Sequence, residues 1–191
     1  MTPSEIYDKL KAKFGEEKIT EFTQAEVGDS WINVAPGAIH EIALFLRDDP
    51  EMEFDGLQCL SGMDWQEKLG VVYHLASYSL NQQVVLHVDV GRSENPLDPS
   101  PDEVQSVAAV WPTANWHERE AYDMVGLRFV NHPDLRRILC PDDWEGWPLR
   151  KDYKVQDFYR GMPVPYPADE NPDEGGTWVF ADRFKSGEGA E

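Results

Sequence analysis

The run His117-Glu118-Arg119-Glu120, with His132 further on, gathers the side chains best suited to chemistry, an imidazole and carboxylates able to bind a divalent metal or move a proton. A histidine and a glutamate three apart on a helix still need partners, and His132 lies in another segment. The expected role is therefore a solvated or interfacial ion-pair face. A free-standing enzyme using His117, Glu118 and His132 is the competing reading, and it requires metal binding or turnover by the chain alone. Cys140, beside Arg136 and Arg137, could ionise if exposed, but no histidine stands near it in sequence as a catalytic thiol would need. A buried small apolar residue is expected there. His74 and His87 fall within apparent strands, where a hydrogen-bonded or solvent-facing histidine is commoner than a ligand.

The sequence contains no GxxxxGK[ST] loop, no GxGxxG after a strand, no GxSxG elbow and no HExxH. Asp48-Asp49-Pro50-Glu51, Asp142-Asp143 and Asp169-Glu170 lack calcium-loop spacing and read as solvated turns. Ion pairing looks deliberate where Arg136, Arg137, Arg150 and Lys151 stand beside Asp134, Asp142, Asp143 and Asp152. Planar guanidinium groups suit fixed contacts with carboxylates, so structural clamps or interface contacts are expected rather than phosphate binding.

With 36 acidic against 17 basic side chains and a net charge of -19, the chain opposes nucleic acid and anionic lipid head groups. No stretch approaches the roughly 20 apolar residues that cross a bilayer, and the first residues lack the apolar core of a signal peptide. A cytoplasmic location is expected. Cys59 and Cys140 are too far apart in sequence for a CxxC clip.

Positioning these groups falls to an α+β body. Ile6, Leu10 and Phe14 predict a helix over 4–14, WINVA at 31–35 a short strand, and Ile39, Ile42, Ala43 and Leu46 a helix over 38–46. Runs at 57–65, 70–78 and 84–90 alternate in polarity, with Val84, Leu86, Val88 and Val90 opposite His87 and Asp89. Their short connections predict an antiparallel meander. Ser100-Pro101-Asp102-Glu103 reads as a capping box opening a helix that carries Val104, Val107, Ala108 and Trp111 inward and stops at Pro112. Asn115 and Glu118 suggest a second capped helix ending at Gly126. The expected fold is a small mixed, largely antiparallel sheet covered by helices over residues 1–130. From 131 to 191, Trp144, Trp147, Tyr153, Phe158, Tyr159, Tyr166 and Trp178 alternate with prolines, among them Pro163, Pro165, Pro167 and Pro172, without any period. Such a segment reads as an extended arm packing on a partner, and GGTWVFADRFKSGEGAE at 175–191 as a frayed end.

Two blocks, HEREAYDMVGLRFVNHPDLRRIL at 117–139 and DWEGWPLRKDY at 143–153, closely resemble the C subunit, also called the 30-kDa-type subunit, of the proton-pumping NADH:quinone oxidoreductase, respiratory complex I. FDGLQCLSGMD at 54–64 resembles that family's N-terminal domain more weakly, and the family usually has His where this chain has Trp147. The resemblance implies a peripheral subunit with no cofactor, metal or catalytic residue of its own. FMN and Fe-S clusters would lie in partner subunits. The chain would pack beside the hydrogenase-derived large subunit of the complex, its D subunit, on the cytoplasmic side of the bacterial inner membrane, supporting electron transfer from NADH to quinone coupled to proton translocation. By the matching motif, Glu118, Arg119, Glu120, Tyr122, Asp123, Gly126, His132, Pro133, Asp134, Arg136, Arg137, Gly146, Pro148, Leu149, Arg150, Lys151 and Asp152 are implied to be structural and interface residues. The Glu and Arg positions would form an ion-pair network fixing the arm's path. An accessory subunit of a related membrane-bound hydrogenase is the nearest alternative.

Overall fold

A computed structural model describes residues 1–164. Met1–Tyr153 form one compact unit, and the described residues from Lys154 onward belong to a second. Helix α1 (Pro3–Phe14) starts on a capping box, in which Thr2 and Glu5 each satisfy the other's backbone N–H, and it buries Ile6 and Leu10. Helix α2 (Ile39–Asp48) buries Ile39, Ile42, Ala43 and Leu46, the stripe expected from the sequence.

Strands β1 (Ile19–Thr23), β2 (Trp31–Val34), β3 (Gly56–Asp64), β4 (Leu69–Ser77) and β5 (Gln82–Val90) form one sheet in the order β1-β2-β5-β4-β3. The meander β3-β4-β5 is antiparallel, whereas β2 joins β5 in parallel, Ile32 opposite Leu86. The sheet is thus mixed and mostly antiparallel, as its sequence predicts. Period-two alternation turns Ile32, Val34, Val71, Tyr73, Leu75, Leu86 and Val88 into the core. They share one apolar cluster with Ile6 and Leu10, with Ile42 and Leu46, and with Ala121 and Val125 of a third helix.

That helix, α3 (Ala114–Val125), ends at Gly126 in the left-handed conformation, φ 77°. It begins at Thr113 with no side-chain cap, and Asn115 lies inside it, so the expected capping box does not form. The larger correction concerns residues 100–112. In place of a helix, β6 (Glu103–Gln105) pairs in parallel with β7 (Arg128–Val130), followed by turns. The groups that would have capped the helix are engaged at long range. The Ser100 N–H donates to Gly126 O at 2.8 Å, Ser100 Oγ accepts from Arg128 N–H, and Asp102 Oδ2 accepts from Gly91 N–H at 2.7 Å. Tertiary partners outweigh a local propensity of a few tenths of a kcal/mol per residue, to order of magnitude. Val104, Val107 and Trp111 are nonetheless buried.

The compact unit runs past the expected boundary at 130 and takes in residues 131–153. In the second unit β8 (Phe158–Tyr159) and β9 (Met162–Pro163) make a small hairpin turning through Arg160 and Gly161, both at positive φ. Pro165, Tyr166, Pro167, Asp169-Glu170, Pro172, Trp178 and the stretch 175–191 lie outside the described residues.

Candidate functional site

Helix α3 is the spine on which two irregular loops are laid. Asp123, near its C-terminal end, has no exposed surface. Its Oδ2 accepts N–H groups from Ile138, Leu139 and Cys140 at 3.0, 2.7 and 2.8 Å, and its Oδ1 accepts from Arg137 Nη1 at 2.7 Å. Burial alone would raise the Asp123 carboxyl, but the three backbone donors and the Arg137 guanidinium outweigh it and hold the group below the usual aspartate value. Arg137 goes on to donate to Gly146 O at 3.0 Å, linking the first loop to the second. One helical turn earlier Arg119, itself buried, donates to the carbonyls of Arg136 and Arg137 at 3.2 and 3.3 Å.

The second loop wraps the C-terminal end of α3. Trp147 is buried, its Nε1–H donates to Asp98 O at 3.2 Å, and the guanidiniums of Arg137 and Arg150 stand 4.7 and 5.6 Å from its ring centre. Tyr122 meets the same indole edge-on at 5.4 Å. The indole fills the gap between two cations. Arg150 is buried and donates to Val125 O at 2.7 Å and Pro96 O at 3.1 Å, while burial and the nearby charge of Arg92 weigh against its charged form. These contacts require glycine at 126, since a Cβ there would lie 2.6 Å from Arg150 Nη2 and 2.7 Å from the Trp147 ring. Gly126→Ala, strained also at φ 77°, is expected to cost at least about 2 kcal/mol in urea unfolding.

A third anchor ties the loop to the sheet. Asp64 at the end of β3 accepts from Lys151 N–H at 2.7 Å and from Arg92 Nη1 at 2.5 Å, and Arg92 Nη2 reaches Asp152 at 2.5 Å. Burial opposes the Asp64 charge, but the backbone donors of Lys151 and Gln66 and the Arg92 guanidinium prevail and lower its pKa.

Glu118 behaves differently from the other acids. It is wholly buried and among the described residues pairs with no arginine, accepting instead from Ser106 Oγ at 2.6 Å and Val107 N–H at 2.7 Å. Burial pushes its carboxyl up to about 7 despite those two donors. His132, whose side chain is also fully buried, lies 3.9 Å away, with Nε2 on Asn115 O and Nδ1 accepting from Asp134 N–H. The Tyr73 hydroxyl, buried with no hydrogen-bond partner among the described residues, feels the same carboxylate.

Of the other residues singled out by sequence, Glu120 and Pro133 are exposed, and Arg136 pairs with Asp134 at 2.9 Å on the surface. Pro148 is half-buried, and Leu149 donates its N–H to Met124 O while its side chain stays exposed. The glutamates therefore stay outside the arginine–aspartate network. His117 turns toward β3, its Nδ1 3.2 Å from Leu60 O, so His117, Glu118 and His132 do not converge. Among the described residues no three of His, Cys, Asp or Glu are grouped as metal ligands. The Cys140 thiol is raised by burial and by Asp123, the reverse of an activated nucleophile. Sequence reasoning missed Arg92, Ser106 and the carbonyls at 96 and 98, because each acts through a contact remote in sequence.

The arrangement ties two loops to one helix. It spends buried cations on backbone carbonyls, which fixes two loops against α3, and it leaves Trp116, Leu139 and Leu149 more than half exposed along that strip.

The family model described as respiratory-chain NADH dehydrogenase, 30 Kd subunit, matches residues 32–159. The C subunit of NADH-quinone oxidoreductase from Chlorobium phaeobacteroides is 48% identical over 163 residues, covering 84% of this chain and 93% of that one. The C/D subunit of NADH-quinone oxidoreductase from Phocaeicola vulgatus is 43% identical over 123 residues, 64% of this chain but 22% of that longer one. Among solved structures, a chain of the membrane-bound sulfane sulfur reductase, an archaeal respiratory membrane complex, superposes with a TM-score of 0.58 over 80% of this chain and 85% of that one, at 18% identity, a likeness of fold. The family match takes in the sheet from β2 onward, α3 and both loops pinned to it, and the chain belongs to the family of 30-kDa subunits of respiratory-chain NADH dehydrogenase, the C subunits of complex I.

Proposed function

We propose that the chain is a cofactor-free structural subunit of the peripheral arm of complex I, standing beside the D subunit on the cytoplasmic side of the inner membrane. Electrons would pass from NADH through FMN and Fe-S clusters held by partner subunits to quinone, coupled to proton translocation, and this chain would order the assembly. The observation that carries the reading is the strip along α3, where buried arginines serve the chain's own backbone and the apolar side chains of Trp116, Leu139 and Leu149 face outward. In the C/D relative the matching segment shares one polypeptide with a D part, which favours D as the neighbour. Among the described residues no helix is long and apolar enough to cross a membrane, consistent with attachment through partners.

The test is a gentle pull-down of tagged chain from solubilised membranes, with mass spectrometry and an NADH:quinone assay of the eluate. Flavin- and cluster-bearing subunits with activity support the reading. A large subunit with nickel-ligand cysteine pairs would replace it with the hydrogenase alternative, and the chain alone would refute both. Arg150→Ala is expected to lower the amount of assembled complex rather than leave a full complement with slow turnover. Leu149→Asp, at an exposed position, should lower recovery of the D subunit while leaving the chain's own thermal midpoint within about 2 °C of the parent.

A further inference from the structure

The outer face of the sheet, turned away from the core cluster, holds an open cavity of about 360 Å³. Trp31 and Trp65 both stack on His87 there, with ring centres 4.8 and 5.8 Å from it and planes 12° and 27° from parallel. Trp65 reaches the sheet because Gly70 has no Cβ, which would otherwise collide with the indole. Two carboxylates line the cavity. Lys68 engages Asp89 at 2.6 Å and already stands over the Trp65 ring, 5.7 Å from its centre, whereas Glu21 makes no side-chain hydrogen bond or ion pair among the described residues. Burial weighs against a charge on His87, so the imidazole adds aromatic surface rather than positive charge. The unopposed charge at this site is negative, on a chain whose net charge is -19.

Aromatic faces beside a free carboxylate suit a planar, weakly hydrated cation that stacks and donates at once, which describes a guanidinium better than an ammonium. We propose that this cavity seats an arginine side chain of a neighbouring subunit, its guanidinium stacked on Trp31, the indole on the strand paired with β1, and paired with Glu21. The inference rests on the chain being part of a multisubunit assembly, and it concerns a surface separate from the α3 strip.

A benzophenone amino acid placed at Thr23, on the cavity's rim, tests it in the assembled complex. The expected product joins Thr23 to a peptide of another subunit with an arginine at or next to the bonded residue, and Glu21→Lys lowers its yield about tenfold per assembled complex. An assembled complex that gives no product, a product on a peptide lacking arginine, or a yield indifferent to Glu21→Lys overturns the inference and leaves the family role standing. A chain that never co-purifies with other subunits overturns both.

Discussion

Asp123→Ala is expected to lower the thermal midpoint of the isolated chain by about 10 °C, the larger part of that loss arising where the first loop meets α3. The carboxylate has no exposed surface and is the common acceptor for three consecutive backbone N–H groups and for Arg137. Removing it leaves those donors and a largely buried guanidinium without their partner, and losing one member of a buried pair costs about 3–5 kcal/mol. For a domain of this size each kcal/mol moves the midpoint by about 2–4 °C. Asn at 123 keeps one oxygen for the backbone donors but presents either nothing or an amide to Arg137, so its loss should be smaller. Amide hydrogen exchange separates the local from the global effect. Ile138, Leu139 and Cys140 should lose protection in Asp123→Ala while the meander amides of β4 keep theirs under conditions where the fold persists. A midpoint unchanged within about 2 °C, or protected amides at 138–140, would show that the carboxylate does not hold this loop.

The body of the fold was legible because its elements carry their reasons locally. Val84, Leu86, Val88 and Val90 alternate and are buried, Ile39 to Leu46 repeat at helical spacing, and Gly126 marks the left-handed exit of α3. Illegible were the pairings made at a distance. β1 and β7 are short, and β7 becomes a strand only beside β6. Ser100 and Asp102 look like a helix start until Arg128 and Gly91 claim them. At the site, family resemblance picks out Asp123, Arg137 and Arg150 without saying what they touch. A preference of arginine for carboxylates led to the expectation of ion pairs, yet Arg119 and Arg150 bind carbonyls. Irregular loops leave many carbonyls without a ladder, and a fork of five N–H donors satisfies several of them at once.

Glu118→Gln is expected to act in the opposite direction to the other substitutions and stabilise the chain above neutral pH. The carboxyl is raised from 4.5 to about 7 by burial, so the folded chain holds a proton there that the unfolded chain has already released. Because the folded value lies above the unfolded one, the contribution is fully present below about pH 4.5 and is lost as pH rises through about 7, a span of about 3 kcal/mol. Facing the group are the Tyr73 hydroxyl from β4, Ser106 from the segment after β6, and His132 at 3.9 Å. His132 turns Nε2 to Asn115 O and accepts the Asp134 N–H at Nδ1, so both ring nitrogens are engaged away from the carboxyl. Glutamine retains the shape, offers its carbonyl to Val107 N–H and its amide to Ser106 Oγ, and carries no charge at any pH. Urea unfolding of parent and variant between pH 4 and 8 should therefore give stabilities that run together at the acid end, diverge most steeply between about pH 5 and 7, and level off with a gap of about 3 kcal/mol in favour of the variant at the alkaline end. Equal slopes across that interval would mean that Glu118 ionises as readily in the folded chain as in the unfolded one, and that the polar partners around it compensate burial more completely than two hydrogen bonds can.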